Sequence, residues 1–501
     1  CDLAVQLARA VHVPIHPTLA GPQIAWQIRH CGATVGLLSG EHQALKLSPL
    51  ADDLPDAIQW FGFDPCQAAL AGRPVDSFAS LCKRGDLGRG KLLQRLARDQ
   101  VGPESLVTIL YTSGTTGEPK GVMLTHGNLA SNACATIAAF GYTPDQIRVN
   151  FLPLSHIFAR TCDLYIWIVD DSRLALAESR ESVIADCQTV HPTYMNGVPY
   201  FYEKLYRALC AGGQEKTPGA LQSLLGGAIE HCCAGGAALP DYLYDFFQLQ
   251  DVLVLQGYGL SESSPVITIS TREHSRRGSC GRPIPGIEVR LANDGEILTR
   301  GPHVMRGYYQ NPQATAEVLH DGWLATGDIG RFDEDGFLYI TGRKKEILVT
   351  SGGKNIAPVY LESLLTQDPL ILQAMVVGDG QSHLAALIVP NPEVLNVELS
   401  QRGLRVESCA AALRHPEVLA IYRVRIDKCL ASVSPQEQVR KFTLLARPFS
   451  IETGELTAKL SLRRQQIAEH FQREIEAMYA QPNSEFRIQN SERDSRSQTS
   501  F

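Results

Sequence analysis

The chain has 501 residues, room for about three domains at ~150 residues each, so it can bury large cores. Hydrophobic content of 44 % and charged content of 20 % are ordinary globular values and exclude wholesale disorder, a collagen repeat or a coiled-coil rod. With 46 Lys and Arg against 53 Asp and Glu the net charge is -7, which provides no basic field for nucleic acid.

The chain opens on Cys1 inside an apolar helix-like pattern (Leu3, Ala4, Leu7, Ala8), so an opening segment is expected to be missing. From there, short β-branched runs alternate with longer segments of helical period: Val11 to Ile15, Pro22 to His30, Thr34 to Leu38, and onward to Asp251 to Leu255. That alternation predicts layered α/β structure with mostly parallel strands. The longest apolar runs, such as Leu164 to Val169, fall far short of the ~20 residues that span a bilayer. No transmembrane segment is expected, although peripheral contact with the inner face of a membrane stays compatible. Thirteen cysteines, odd in number and without metal-type spacing, fit a reducing, cytoplasmic setting better than a disulfide framework.

Between Gly278 and Arg300 the pattern turns to short alternating strands with Pro285-Gly286 and Asp294-Gly295 turns, which predicts a small antiparallel β-subdomain. Phe332 to Phe337 reads as a hairpin turn, and the charged run Gly342-Arg343-Lys344-Lys345-Glu346 after it as a linker. The expected division is an N-terminal domain over 1–344, a small α/β domain over 345–479 and a disordered tail over 480–501. The small domain has strands near Ile371 to Val377 and Leu384 to Val389, and a last helix carrying Ile467, Phe471 and Ile475 on one face.

Chemistry concentrates in Tyr111-Thr112-Ser113-Gly114-Thr115-Thr116-Gly117-Glu118-Pro119-Lys120-Gly121, placed between a buried strand (Leu106 to Leu110) and a helix starting near His126. Hydroxyls, unhindered backbone N–H groups and one ammonium in a strand-to-helix loop suit a polyphosphate. The Walker A spacing is absent, which excludes a P-loop NTPase. Further along, Leu152 to Arg160 places His156 in an apolar stretch, and Gly235-Gly236-Ala237 precedes Gln256-Gly257-Tyr258-Gly259-Leu260-Ser261-Glu262. Small residues let a flat base approach closely, the Tyr258 ring can stack on it, and the Glu262 carboxylate can hold Mg²⁺ through oxygen. Trp323 to Asp328, Gly342 to Glu346, Gly352 to Pro358 and Thr453 to Arg464 complete the set.

In this order, over nearly the whole chain, the motifs resemble those of the adenylate-forming (AMP-binding) superfamily, and the runs LPLSHIFARTCDLY and GVPYFYEKLYRAL look most like bacterial long-chain fatty acid:CoA ligases. The resemblance implies a large layered α/β domain with a small β-subdomain, followed by a small mobile C-terminal α/β domain. It implies ATP, Mg²⁺ and coenzyme A, with Glu262 and Thr115 at the metal, Lys120 near the departing phosphates and His156 beside the acyl site. Asp328 and Arg343 would contact the ribose hydroxyls, Lys345 would be the hinge, Gly353 would lie on the loop that meets coenzyme A, and Lys459 would be the catalytic lysine. In some relatives that lysine stands two positions later, where this chain has Ser461. The implied reaction joins a fatty acid to coenzyme A through acyl-AMP. The alternatives are delivery of the acyl group to a separate carrier protein, and a truncated, non-catalytic relative. Where relatives carry a Gly turn this chain has Asp170-Asp171-Ser172, a change that a turn tolerates.

Overall fold

Strands buried on both faces need no polar alternation, and the central strands of this protein show that pattern. The computed structural model describes residues 1–70, 72–98, 101–112, 119–141, 145–404, 409–450, 452–456 and 462–480. They fall into two compact units: 1–326 with 330–340, and 327–329 with the residues from 341 onward.

After a short opening helix (Asp2–Leu7), the first unit has helix α1 (Gly21–Cys31) and a three-stranded parallel sheet of β1 (Val35–Leu38), β2 (Gln59–Gly62) and β3 (Asp76–Ser77). The strand expected at Val11 to Ile15 is only a single bridge from His12 to Thr108. Pro14 explains the loss, because it removes a ladder donor within the run. Next come β4 (Leu106–Thr112) and β5 (Lys120–Thr125), an antiparallel pair, and then α2 (His126–Phe140). Thr125 caps α2: its Oγ1 accepts from the Asn128 N–H, and Asn128 Oδ1 accepts from the Thr125 N–H. The Gly/Thr segment therefore joins two strands rather than a strand to a helix. Lys120 opens β5, since Val122 and Leu124 after it are buried on one sheet face and extend the pairing.

A seven-stranded sheet forms the body of the unit. Its strands are β6 (Ile147–Asn150), β7 (Arg173–Leu176), β8 (Tyr194–Gly197), β9 (His231–Ala234), β10 (Leu253–Gly259), β11 (Val266–Ile269) and β12 (Arg282–Pro283), in the order β12-β11-β10-β9-β8-β6-β7. From β10 to β7 all neighbours are parallel, and β11 and β12 add antiparallel edges. Met195, Cys232 and Val254 pack on one face against α3 (Pro199–Ala211) and α4 (Asp241–Leu249) through Leu205, Leu243 and Phe247. A helical run over 157–170 follows β6 and contains a π-turn at Arg160–Tyr165. It ends at Asp171, whose φ of 55° is the left-handed conformation a glycine would fill, while the buried Asp170 carboxylate pairs with Arg148.

The expected antiparallel β-subdomain is present as β13 (Glu288–Leu291) and β14 (Glu296–Arg300), joined through Gly295 at φ 83°. β15 (Gly307–Tyr308) pairs with β5, and β16 (Trp323–Phe332) with β17 (Leu338–Arg343) across the 333–336 turn.

The second unit has α5 (Pro358–Leu365), β18 (Ile371–Val377), β19 (Leu384–Pro390), α6 (Pro416–Cys429) and β20 (Val439–Leu444), with β19 central and wholly buried. Its closing helix is two pieces, α7 (Arg464–His470) and α8 (Gln472–Tyr479), broken at Phe471. Ile467, Phe471 and Ile475 still face one core, so the break costs the apolar stripe nothing.

Candidate active site

In a parallel sheet the carboxyl ends of neighbouring strands point the same way, so loops far apart in sequence emerge side by side. The motif segments use that geometry. Residues 152–160 follow β6, 235–237 follow β9, and 257–262 close β10. The Gly235 N–H donates to the Gly197 carbonyl at the end of β8 (3.2 Å), and a Cβ on Gly235 would stand 2.9 Å from the Phe158 ring. Gly235 is thus small because Phe158 of the preceding motif fills its space. Gly259 is constrained too, because a Cβ there would lie 1.7 Å from the Pro265 carbonyl. Gly257 differs: its nearest neighbours would be 3.7 Å away, and nothing inside the protein demands a glycine. Gly236, at φ 80°, and Ala237 are exposed, and Tyr258 is half-buried at the end of β10.

Glu262 sits on a 3-10 turn, Ser261–Ser263, which Ser263 Oγ caps by accepting from the Leu260 N–H (3.0 Å). Asn132 of α2 holds the segment through the Val266 carbonyl and N–H, and the Met305 N–H donates to the Glu262 carbonyl (2.8 Å). The Tyr308 hydroxyl donates to Glu262 Oε1 (2.9 Å), and the Lys120 ammonium lies 5.0 Å from the centre of the same ring. Two motif residues 142 apart in sequence thus flank one tyrosine (262 minus 120). Burial pushes the Tyr308 hydroxyl well above the usual phenol range, and the adjacent Glu262 carboxylate adds to that, so it stays a donor. Among the described residues no three His, Cys, Asp or Glu side chains cluster as a metal site. A divalent ion on the Glu262 carboxylate would complete its oxygen shell with water and phosphate oxygens, which suits Mg²⁺.

Thr112 ends β4 opposite Lys120. Ser113, Gly114, Thr115, Thr116 and Gly117 lie outside the described residues, as do Lys459, Ser461 and the tail from 481. His156 precedes the 157–170 run in extended conformation, with its ring 5.2 Å from that of His16. Arg160, from the same motif, is wholly buried and donates to Thr108 Oγ1 and the Asp2 carboxylate.

In the second unit Asp328, buried on β16, and Arg343, exposed at the end of β17, form an ion pair of 2.9 Å. Lys345 lies in the single turn Lys344–Glu346. Gly353 has φ 76° in a turn closed by its N–H to the Thr350 carbonyl (2.8 Å). The described flanks of the lysine-bearing loop are tied down. Leu456 bridges Leu462, the buried Glu455 accepts two bonds from Arg447 and one from Thr453, and Arg464 pairs with Glu362.

Residues 1–309 match the family model of the AMP-binding enzymes, and residues 345–483 match that of the AMP-binding enzyme C-terminal domain. The chain belongs to the AMP-binding enzymes. It is 33 % identical over 528 residues to the long-chain-fatty-acid–CoA ligase FadD15 of Mycobacterium bovis, covering 95 % of this chain and 85 % of that one. Among solved structures it is similar to the anthranilate CoA ligase AuaEII in complex with anthranoyl-AMP (TM-score 0.70, 20 % identity, 93 % of this chain and 83 % of that one). It is also similar to the O-succinylbenzoate coenzyme A synthetase of Bacillus subtilis in complex with ATP and magnesium ion (TM-score 0.67, 22 % identity, 93 % and 86 %). At that identity the likeness concerns the fold, the layered α/β architecture with a smaller second domain that the motifs implied.

Sequence reading of this AMP-binding enzyme overlooked Tyr308. It sits in Gly307-Tyr308-Tyr309, a string with no motif grammar, and only the pairing of β15 with β5 brings it to Lys120. It also passed over two orphan polar groups. Among the described residues Ser155 Oγ and Gln256 Nε2 are buried without a hydrogen-bond partner, one in each of two motif segments. Unsatisfied buried donors are costly, and a polar ligand would relieve them. No described helix is long and apolar enough to cross a membrane.

Proposed function

We propose that this AMP-binding enzyme activates a long-chain fatty acid with ATP and transfers the acyl group to coenzyme A. The observation that carries the reading is the 33 % identity to a long-chain-fatty-acid–CoA ligase through both family domains, over 95 % of the chain. In the first step a carboxylate oxygen attacks the α-phosphorus of ATP and the bond to the β-phosphate oxygen breaks. Pyrophosphate leaves with that electron pair. In the second step the thiol sulfur attacks the acyl carbon, AMP departs with the C–O pair, and the thiol proton passes to solvent.

Negative charge builds around the α-phosphorus, so the chain's task is to hold the reactants in line and meet that charge. Lys120 would stand at the departing phosphates, Glu262 would hold Mg²⁺ and Lys459 would reach the carboxylate and α-phosphate. Mg²⁺ would neutralise phosphate charge. Asp328 and Arg343 would take the ribose, with Asp328 accepting from its hydroxyls. The functional boundary lies at 344/345, and Lys345 is the hinge that exchanges the Lys459 and Gly353 loops between the steps.

Pyrophosphate release with a panel of carboxylates, with and without coenzyme A, tests the reading. If an apolar tunnel takes the chain, each buried methylene contributes about 0.8 kcal/mol, and eight of them about 6 kcal/mol. kcat/KM should therefore climb steeply from octanoate to palmitate. Best activity on acetate or an aromatic acid overturns the fatty-acid assignment. Acyl-AMP accumulation unchanged by coenzyme A favours transfer to a carrier protein.

A further inference from the structure

The face of the seven-stranded sheet beneath the 157–170 run carries a polar seam to which neither step above assigns a role. The π-turn at Arg160–Tyr165 offers the Cys162 carbonyl and the Asp163 side chain to the sheet, and three strand residues answer. Arg148 Nη1 donates to the Cys162 carbonyl (3.1 Å), and Asn196 Nδ2 donates both to that carbonyl (3.2 Å) and to Asp163 Oδ1 (2.6 Å). Asn150 Nδ2 donates to Asp163 Oδ2 (2.8 Å). Asn150 is the last residue of β6, directly before the His156 segment, and Asn196 is the last but one of β8, whose end receives the Gly235 N–H.

Asp163 is wholly buried and its two direct side-chain partners are neutral amides. The guanidinium nearest in the seam, Arg148, is engaged by Asp170. The other titratable groups around it are Tyr194 from β8, Cys233 from β9, Tyr202 from α3 and Cys162 beside it. Burial pushes the Asp163 carboxyl up to about 6, although the amides of Asn196 and Asn150 and the charge of Arg148 pull it down. A carboxylate held this way costs stability that apolar residues would not cost.

We propose that Asp163 is a positioning residue of the adenylating site: its carboxylate ties the carboxyl ends of β6 and β8 to the helical run that presents His156 and Phe158. The inference rests on the adenylation reading above. The ionised form accepts from both amides with full charge on its oxygens. In the protonated form one oxygen becomes a hydroxyl, a much weaker acceptor that must also place its own proton, and one tie is weakened.

Activity and stability should respond to pH in opposite senses. Because the folded carboxyl binds its proton at higher pH than the unfolded one, this group's contribution to stability improves as pH falls from about 6 towards about 4. Over the same range the tie weakens and activity should drop. A purely structural role would move both together.

The experiment is pyrophosphate release with palmitate and ATP between about pH 5 and about pH 8, with the melting midpoint measured at each pH. Wild type should lose about tenfold in kcat/KM per pH unit below about 6. Asp163→Asn should be slower at neutral pH by about tenfold, flat across the acid range and no less stable. Should Asp163→Asn fail to fold, Asn150→Ala removes one donor from the carboxylate and should move the acid limb to higher pH. An active wild type with Asp163→Asn unchanged in rate and acid limb, or with Asn150→Ala leaving the limb in place, overturns this inference alone. A wild type that releases no pyrophosphate with any carboxylate overturns the adenylation reading, and this one with it.

Discussion

Two glycines of the same motif group are small for different reasons, and that difference can be tested. A methyl on Gly235 meets the Phe158 ring, whereas a methyl on Gly257 meets nothing closer than 3.7 Å. Gly257→Ala should therefore leave the unfolding free energy within about 0.5 kcal/mol of wild type. If Gly257 is small to admit a base, the same variant should raise KM for ATP at least about tenfold. Unchanged ATP kinetics would remove Gly257 from the nucleotide site. If Glu262 holds Mg²⁺, as proposed, the neutral amide of Glu262→Gln is a weaker ligand for that hard cation, and adenylation should fall by about a hundredfold at ordinary Mg²⁺. Tyr308→Phe keeps the ring beneath Lys120 and removes one bond to a carboxylate, worth about 1.5–3 kcal/mol when buried. Glu262 is half-buried, so the loss should sit at the low end, about tenfold. A Tyr308→Phe enzyme with wild-type Mg²⁺ dependence would show that the hydroxyl does not orient Glu262.

Elements were more legible than their connections. The alternation of short β-branched and helical runs foretold the parallel sheet because strands buried on both faces cannot hide their composition, and the turns at Gly295 and Gly336 were visible as Asp-Gly pairs. The β4–β5 pairing was not, because a lysine and a glycine at the start of β5 read as loop until Val122 and Leu124 are seen in register with Leu110 and Thr108. The Asp163 seam was hidden for another reason: Asn150, Asp163 and Asn196 lie on three elements, and only the sheet order brings them together. Packing between elements gives a prediction of its own. Gly235→Ala should push Phe158 off its seat and destabilise the protein by about 1–3 kcal/mol, the usual cost of overpacking. Adding Phe158→Leu should recover part of that loss, because the two side chains compete for one space. Additive losses in the double mutant would mean that the Gly235–Phe158 contact is not what restricts position 235.

At the scale of the whole molecule the open question is whether one arrangement of the chain serves both half-reactions. The proposed function assigns Lys459 to adenylate formation and the glycine turn at 350–354 to the thiol step, and both belong to the second unit. If the steps use different arrangements, a variant should damage one and spare the other. Lys459→Ala should slow adenylate formation by about a hundredfold to a thousandfold, the scale of losing a preorganised charge stabiliser, while thioester formation from supplied acyl-AMP survives. The reciprocal variant needs bulk in the glycine turn without strain. Gly353 is a poor choice, since its φ of 76° penalises any side chain and would confuse lost activity with lost structure. Gly352 is the better one: its φ is not in the left-handed range, and the nearest atom to a Cβ there is Thr350 Oγ1 at 3.9 Å. Gly352→Val should therefore keep the fold and the adenylation rate while slowing thioester formation about tenfold or more. Crossed damage, with each variant losing only its own step, is the signature of exchange about Lys345. Equal damage to both steps in both variants would mean one fixed site, and the hinge assignment of Lys345 would fall with it.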